Sequence, residues 1–544
     1  MDRESVLLEP IPLLNPTLDL SADLRSEPAI SRRQWIAVLG ALLGAFMAVL
    51  DIQISNSSLQ NITGGIGATL DEGSWVSVAY LVPEIIVIPL CGWMASIIGL
   101  RRYLLWNSTL FLLFSMACGF AWDLNSLIVF RALQGFTGGA LIPMASTLVL
   151  TMLPPSKQPV GFALFGLSAM FAPAIGPSIG GWITENYSWP WIFYLNLAPG
   201  ALFLAAIAYG LDPAPARPKL LQQGDWLGIF FMAVGLGSLT IFLEEGTRED
   251  WFGSDLITRL ALTSAIALPI FVIVELWRRS RSEPIVNLRL FRMRNFALGS
   301  LANLVLGMAL YGVMYLLPLY LAQIQRYNAL QIGSTLMWVG LPQLVIMPLV
   351  PLLMKRVDKR IIVGLGFALF GSSGFLMSDL SADSGHDQLF LPQIIRALGL
   401  PLIIVPLSLL TTGDVGKQNA VSASGLFNML RNLGGSIGIA MLSALLTVRE
   451  HFHSHHLGEA ISLYNPLTRD RLDAVAQTFA SRGLEVSAAQ DSAVGALDLA
   501  VRQQAYLLAF NDCFRVVSWV LLVMIPVVLF CRKSSGAGDA AGAH

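Results

Sequence analysis

The segment Ala172-Pro-Ala-Ile-Gly-Pro-Ser-Ile-Gly-Gly181 interrupts a run from about Pro159 to Thr184 that is otherwise apolar enough for a lipid bilayer. In water, a helix interior loses roughly 1 kcal/mol at a Gly and 3 kcal/mol at a Pro. In hydrocarbon, such a stretch persists only where its thinly covered backbone packs on another helix or lines a cavity. Two readings are open at this point. One is a kinked packing helix; the other is a hinge or seal between two halves of a transporter.

The rest of the chain sets the class. Of its 544 residues, 55% are hydrophobic and only 13% charged, against about 25% charged in soluble domains. The formal net charge of −1 gives no footing for nucleic acid. Cys91, Cys118, Cys513 and Cys531 all fall in apolar segments, so neither a disulfide framework nor a metal site is expected. The first thirty or so residues lack a cleavable signal pattern, and the first helix is read as an uncleaved insertion signal.

Apolar runs of about 20 residues predict roughly fourteen spans in an all-α polytopic membrane protein. They lie near Trp35–Asn56, Trp75–Ile98, Tyr103–Trp122, Leu124–Leu153, Pro159–Thr184, Trp189–Leu211, Asp225–Glu244 and Ile257–Trp277. The second half adds Asn295–Ile324, Ile332–Met354, Ile361–Leu380, Phe390–Thr412, Ala420–Val448 and Tyr506–Cys531. Lys and Arg gather on one side, at Arg32, Arg101, Arg102, Lys157, Arg217, Lys355, Arg360 and Arg532 among others. Acids such as Glu185, Glu244, Glu245 and Asp379 fall in the opposite loops. This asymmetry places both termini in the cytoplasm, and an even span count, which puts them on one side, agrees.

Two connections are long. The linker Arg278–Arg294 is basic and reads as a topology signal or an anionic-lipid contact. The external segment from Arg449 to about Gln504 has helical apolar spacing at Leu467–Phe479 and Val486–Val501. It reads either as amphipathic helix on the membrane or a partner, or as a solvated loop. The run His451–His456 inside it reads as a polar collar rather than a metal or pH-sensing site.

Ionisable residues within spans carry the functional argument, because burying them is costly. At 1.5 Å per residue, Asp51, Glu84 and Arg131 reach the same outer-middle depth on three different helices. Burial and a neighbouring cation act on a carboxyl in opposite directions, which leaves it able to take and release a proton. A structural Asp–Arg pair is the other reading. Arg396, Arg431, Asp512 and Arg515 occupy similarly buried positions in the second half, with an Asp512–Arg431 or Asp512–Arg515 tie expected. Gln53, Asn56, Gln134, Asn303, Gln343, Gln393 and Asn428 either line a polar pathway or join helices.

Several strings then converge on one family. Arg131-Ala-Leu-Gln-Gly135, followed by Gly138 and Gly139, resembles the R-x-x-Q-G motif on the fourth helix of major facilitator transporters. Ala172–Gly181 resembles their antiporter motif G-x-x-x-G-P-x-x-G-G, with Ala172 for the first Gly. Gly92-Trp-Met-Ala-Ser-Ile-Ile-Gly-Leu-Arg-Arg102 is similar to the loop motif G-x-L-A-D-R-x-G-R-R, with Ser96 for its Asp. Pro351-Leu-Leu-Met-Lys-Arg-Val-Asp-Lys-Arg360 echoes it in the second half, as an internal repeat would. Leu50-Asp51 through Asn56 resembles the L-D-x-T-x-x-N-V-A-L-P signature of fourteen-helix drug:proton antiporters, with Gln60 for the final Pro. The resemblance is to the EmrB/QacA group and covers the whole chain.

What the resemblance implies is a major facilitator fold: two six-helix bundles at 35–211 and 295–531, with two inserted helices and the linker at 212–294. Cytoplasmic tails at 1–34 and 532–544 and a periplasmic loop at 449–505 complete this division. It implies Arg131 as the arginine of proton coupling, Asp51 as the helix-one acid of the signature, and a close contact at Gly176, Pro177, Gly180 and Gly181 that limits proton leak; with the buried charges above, protons are expected to enter to Asp51 or Glu84 near Arg131. It further implies proton-driven efflux of lipophilic or amphipathic small molecules across a bacterial inner membrane, without a cofactor. An EmrA-like periplasmic membrane-fusion adaptor and a TolC-like outer-membrane channel would be partners. A dedicated exporter of one metabolite, such as a siderophore or fatty acid, is the alternative, and a proton symporter a further one. No nucleophile–base or metal constellation at a membrane face suggests an enzyme.

Overall fold

The computed structural model describes residues 30–222, 224–277, 286–416, 419–459, 461–462 and 464–533. The expected N-terminal tail up to residue 29, part of the basic linker (278–285) and the tail from 534 lie outside the described residues.

Polar capping residues set the helix starts, because the first N–H groups of a helix have no partner within it. α1 (Arg32–Ser57) opens on a reciprocal box in which Ser31 Oγ accepts from Gln34 N while Gln34 accepts from Ser31 N. α2 (Leu70–Ile98) opens on Thr69 and Glu72 in the same way. α3 is Leu100–Gly119. α4, Leu124–Met152, begins with Asp123 capping Ser126 N. α5 (Gln158–Asn186) and α6 (Trp191–Gly210) complete the first six. α7 (Trp226–Glu245) and α8 (Asp255–Trp277) follow as a pair. The second set is α9 (Arg294–Gln323), α10 (Ala329–Leu353), α11 (Lys359–Leu376), α12 (His386–Thr412) and α13 (Ala420–Glu459). Beyond these come α14 (Pro466–Ser481) and α15 (Val486–Leu529).

Among the described residues twelve helices are long and apolar enough to cross a membrane, or thirteen with the bent α5 counted as one span. The fourteen expected from sequence include α3, which is long enough but carries Arg101, Arg102 and Asn107 among its apolar residues. The architecture is thus all-helical and multi-pass.

Two large cores organise the molecule. One is built from α9, α11, α12, α13 and α15 around Phe367, Phe370, Phe510 and Phe514. The other joins α1, α2, α3, α4, α5 and α6 around Tyr80, Phe111 and Phe203, and takes in Met347 and Val350 of α10. The two sets of helices meet where α5 lies along α10 and α2 along α13. α7 is wedged at the second of these seams: Met232 and Leu236 share a core with Ile85 of α2, Phe296 of α9, and Ala423 and Leu426 of α13.

The external segment is helical where the sequence left a solvated loop open. α13 runs on to Glu459, and α15 begins at Val486 and continues into the last apolar run. Glu244 and Glu245, expected in a loop, end α7. Glu245 is buried against Arg248 at 2.6 Å, and Glu244 Oε1 accepts from Ser436 Oγ of α13 at 2.8 Å.

Candidate functional site

Small residues bring the charged groups together. On α1, Ala37, Ala41, Ala45 and Ala48 recur at helical spacing and are buried. The same stripe continues to Asp51, so its carboxylate faces the bundle interior. On α4, Gly135, Gly138 and Gly139 follow Arg131 on one face. A Cβ at Gly135 would strike the Tyr80 backbone, and one at Gly139 would lie 2.8 Å from the Glu84 carbonyl oxygen. Only glycine allows α4 to lie this close on α2. That approach carries Arg131 across α2 into contact with α1.

Arg131 Nη1 donates to Asp51 Oδ2 at 2.7 Å, and both side chains are 1% exposed. Arg131 Nη1 also reaches Gln134 Oε1 (2.9 Å), and its Nε donates to the Val76 carbonyl (3.3 Å). Its guanidinium lies over the Tyr80 ring, 4.4 Å from the centroid. The other carboxylate oxygen, Asp51 Oδ1, accepts from Gln134 Nε2 (3.1 Å) and from Asn196 Nδ2 (2.6 Å). Asn196 Nδ2 also donates to Ser115 Oγ, which donates to the Phe193 carbonyl. Asp51 therefore accepts from side chains on α4 and α6 at once. An ionised carboxylate is an acceptor only, whereas a carboxylic acid carries a donor of its own. A proton on Asp51 would face donors on both oxygens, so one of these contacts must open.

Glu84 is one turn beyond Tyr80 on α2 and is buried. Among the described residues it makes no ion pair, but it lies within electrostatic reach of Arg131 and Asp51. Tyr311 of α9 feels both Glu84 and Arg431, which sets Glu84 toward the second set of helices.

The Gly-Pro stretch bends α5 by 41° between Gln158–Pro173 and Ile175–Asn186. Pro177 removes the N–H that would bond the Pro173 carbonyl, and its ring crowds that group. A Cβ at Gly176 would sit 2.8 Å from Gln53 Cβ of α1, and one at Gly180 would sit 2.8 Å from Ser57 Oγ. Nothing lies within 4 Å of a Cβ at Gly181. Gly176 and Gly180 make the close approach, and Gly181 stands clear of it. The bend falls just before the Gly176–Pro177 pair.

The remaining candidates separate. Asn56 Oδ1 accepts from Ser77 Oγ at 2.7 Å, joining α1 to α2. Asn303 Nδ2 donates to the Phe427 carbonyl (2.7 Å), joining α9 to α13. Asn428 Nδ2 donates to Ser146 Oγ (3.2 Å), a bond from α13 to α4, and Asn428 Oδ1 accepts from Arg431 Nη2 (2.8 Å). Arg431 also lies over Phe165 of α5, at 5.9 Å.

The expected Asp512–Arg431 tie is not formed. Arg431 precedes Arg449 by eighteen residues on α13, about 27 Å of helix, and Asp512 is level with Arg449. Asp512 Oδ2 accepts from Arg449 Nε (2.6 Å) and lies 2.7 Å from His453 Nε2. The Asp512–Arg515 contact is present but long, at 3.8 Å. Arg515 is not buried as expected; its side chain is half-exposed and also reaches Asp379 at 3.4 Å. Among the described residues no group of three His, Cys, Asp or Glu is placed to hold a metal ion.

Asn196 and Ser115 were not among the sequence candidates. Asn196 sits in a turn of α6 just after the aromatic run Trp189–Tyr194. It is the lone amide in an apolar span, a signal of the kind that singled out Gln134.

The Major Facilitator Superfamily model matches residues 41–439. The colistin resistance protein EmrB of Acinetobacter baumannii is 32% identical over 505 residues, covering 92% of this chain and 97% of that protein. The multidrug export protein EmrB of Escherichia coli K12 is 31% identical, covering 93% and 97%. The fatty acid resistance protein FarB of Neisseria gonorrhoeae is 30% identical, covering 94% and 98%. The human organic anion transporter MFSD10 shares the fold, with a TM-score of 0.58 at 13% identity over 92% of this chain and all of its own. This chain belongs to the major facilitator superfamily, as an EmrB-like efflux pump.

Proposed function

We propose that the chain exports lipophilic and amphipathic small molecules by proton antiport, with Asp51 as the proton acceptor and Arg131 as the group its protonation releases. The observation that carries this reading is the Asp51 carboxylate, buried and held by donors from α4 and α6. A proton arriving there breaks at least one interhelical contact and so favours a different packing of the helices. Glu84 stands toward the second half and relays the proton or exchanges it with cargo. Gly176 and Gly180, on the bent α5 against α1, limit leak while the helices shift.

The topology that fits is fourteen spans, with α3 added to the thirteen apolar ones, both termini cytoplasmic, in a bacterial inner membrane. The helical extension formed by the end of α13, α14 and the start of α15 exposes Tyr464, Leu467, Val486 and Leu499. It is the natural contact for an EmrA-like adaptor leading to a TolC-like channel. The test is flux of ethidium and of an acidic amphiphile in proteoliposomes under an imposed pH gradient. Cargo movement opposite to protons supports the reading, and flux indifferent to the gradient overturns it.

A further inference from the structure

Among the described residues the second half holds a buried cation with no ion-pair partner. Arg396 of α12 is 4% exposed and makes no ion pair among the described residues. Its Nε is buried without a hydrogen-bond partner. One turn earlier on the same face of α12, Gln393 is fully buried, and neither its amide oxygen nor its nitrogen has a partner. Gln343 of α10 is in the same condition, with both amide atoms unpartnered and 1% exposure.

These side chains come to one level. α10 and α12 pack side by side, and Thr335 Oγ1 lies 3.2 Å from His386 Nδ1. Trp338 stacks edge-on with Phe390 at 4.8 Å between centroids. Gln343 is eight residues beyond Thr335 and Gln393 seven beyond His386, about 12 and 10 Å down parallel helices. Arg396 is one turn deeper. Buried polar groups in folded proteins almost always have partners, and an ionisable residue inside a membrane bundle marks a ligand path or a pair. Here four amide atoms of Gln343 and Gln393, and Nε of the Arg396 guanidinium itself, are buried without a partner, and Arg396 has no ion pair among the described residues. By contrast, Arg131 in the first half, which starts the similar string Arg131-Ala-Leu-Gln-Gly135, has Asp51; Arg396-Ala-Leu-Gly399 has none.

We propose that Arg396, Gln393 and Gln343 form the headgroup subsite for an anionic amphipathic cargo, whose carboxylate sits on the Arg396 guanidinium. The glutamine amides donate to and orient that headgroup, a role that suits a planar fork and a carboxylate. Leu389, Leu400 and Val339, in or packed against the same core, give the tail an apolar wall. The inference rests on the export reading but is testable by binding alone.

Dodecanoate is titrated into detergent-purified protein, with calorimetry and thermal shift as readouts and dodecanol as the uncharged control. Wild type is expected to bind dodecanoate about tenfold or more tightly than dodecanol, and Arg396→Gln to erase that preference. Gln393→Leu is expected to weaken dodecanoate binding by several-fold, and Arg396→Lys to keep part of it. Equal binding of acid and alcohol by wild type overturns the subsite, as does an unchanged preference in Arg396→Gln. In proteoliposomes, Arg396→Gln is expected to lose dodecanoate flux while ethidium flux stays near wild type. Equal loss of both fluxes also overturns the subsite, assigning Arg396 to packing. Charge-selective binding with no pH-driven flux of either probe would leave the subsite standing and sink the antiport reading.

Discussion

Asn196 Nδ2 donates to Asp51 Oδ1 at 2.6 Å, from a turn in α6 145 residues away along the chain. The carboxylate is thereby fixed on both oxygens, by α6 and Gln134 on one and by Arg131 on the other. Replacing Asn196 with Leu removes a hydrogen bond to a charged group, a loss of about 1.5–3 kcal/mol. Thermal unfolding in detergent is expected to show this drop, and Asn196→Gln to recover less than half of it.

The Asp51–Arg131 pair is buried on both sides. Asp51→Asn and Arg131→Gln are each expected to cost about 3–5 kcal/mol, because each leaves a buried charge alone. The double variant is expected to cost less than the sum of the two. pH-driven efflux should be absent in all three while protein still reaches the membrane. Proton-dependent transport at the wild-type rate in Asp51→Asn would remove it from the coupling path.

The glycines of α5 are not equivalent. Gly176→Val places its side chain against Gln53 and is expected to abolish or uncouple efflux. Gly181→Ala meets open space and is expected to leave transport within about twofold of wild type. A pH-gradient collapse assay with both proteins in vesicles distinguishes leak from a jammed pump. Equal effects from the two substitutions would contradict the close-contact role of Gly176.

Outside the spans, Asp358 caps α11 and pairs with Arg360 at 2.8 Å. The hydrogen bonds from Arg360 hold its carboxyl below the usual carboxylate range. A carboxyl lowered on folding contributes stability above its unfolded pKa and loses it as pH falls through the folded one. Asp358→Ala is therefore expected to cost about 1 kcal/mol near neutral pH. That difference from wild type should vanish as pH falls below the ordinary Asp range. Melting curves at neutral and strongly acidic pH measure this.

Much of the site is legible in the sequence, since a charge within an apolar run stands out by its cost. Asp51, Glu84 and Arg131 are found that way, and the glycines after Arg131 explain how α4 reaches α2. What one dimension does not give is rotation about each helix and level across helices. Asn196 shows in the sequence only as a lone amide in an apolar span, and the break in α6 that turns it toward Asp51 does not. Asp512 carries the same cost signal as Asp51, yet its partners Arg449 and His453 come from a stretch that reads as the start of an external loop. α13 keeps its helical course there, so the level at which α15 meets it lies far above Arg431.

α7 touches both α2 and α13, through Ile85 on one side and Ala423 and Leu426 on the other. Two bodies that tilt against each other, as the proposed antiport requires, cannot both keep a third rigid rod in register, so α7 would ride with one and slide along the other. The bond from Ser436 to Glu244 fastens it to α13. The sliding face is then the one toward α2, where a Cβ at Gly237 would meet Val82 and Ile86 at no less than 3.5 Å. Under the proposed rocking, α7 and α8 would work as a bearing, with the smooth side toward the helices that hold Asp51.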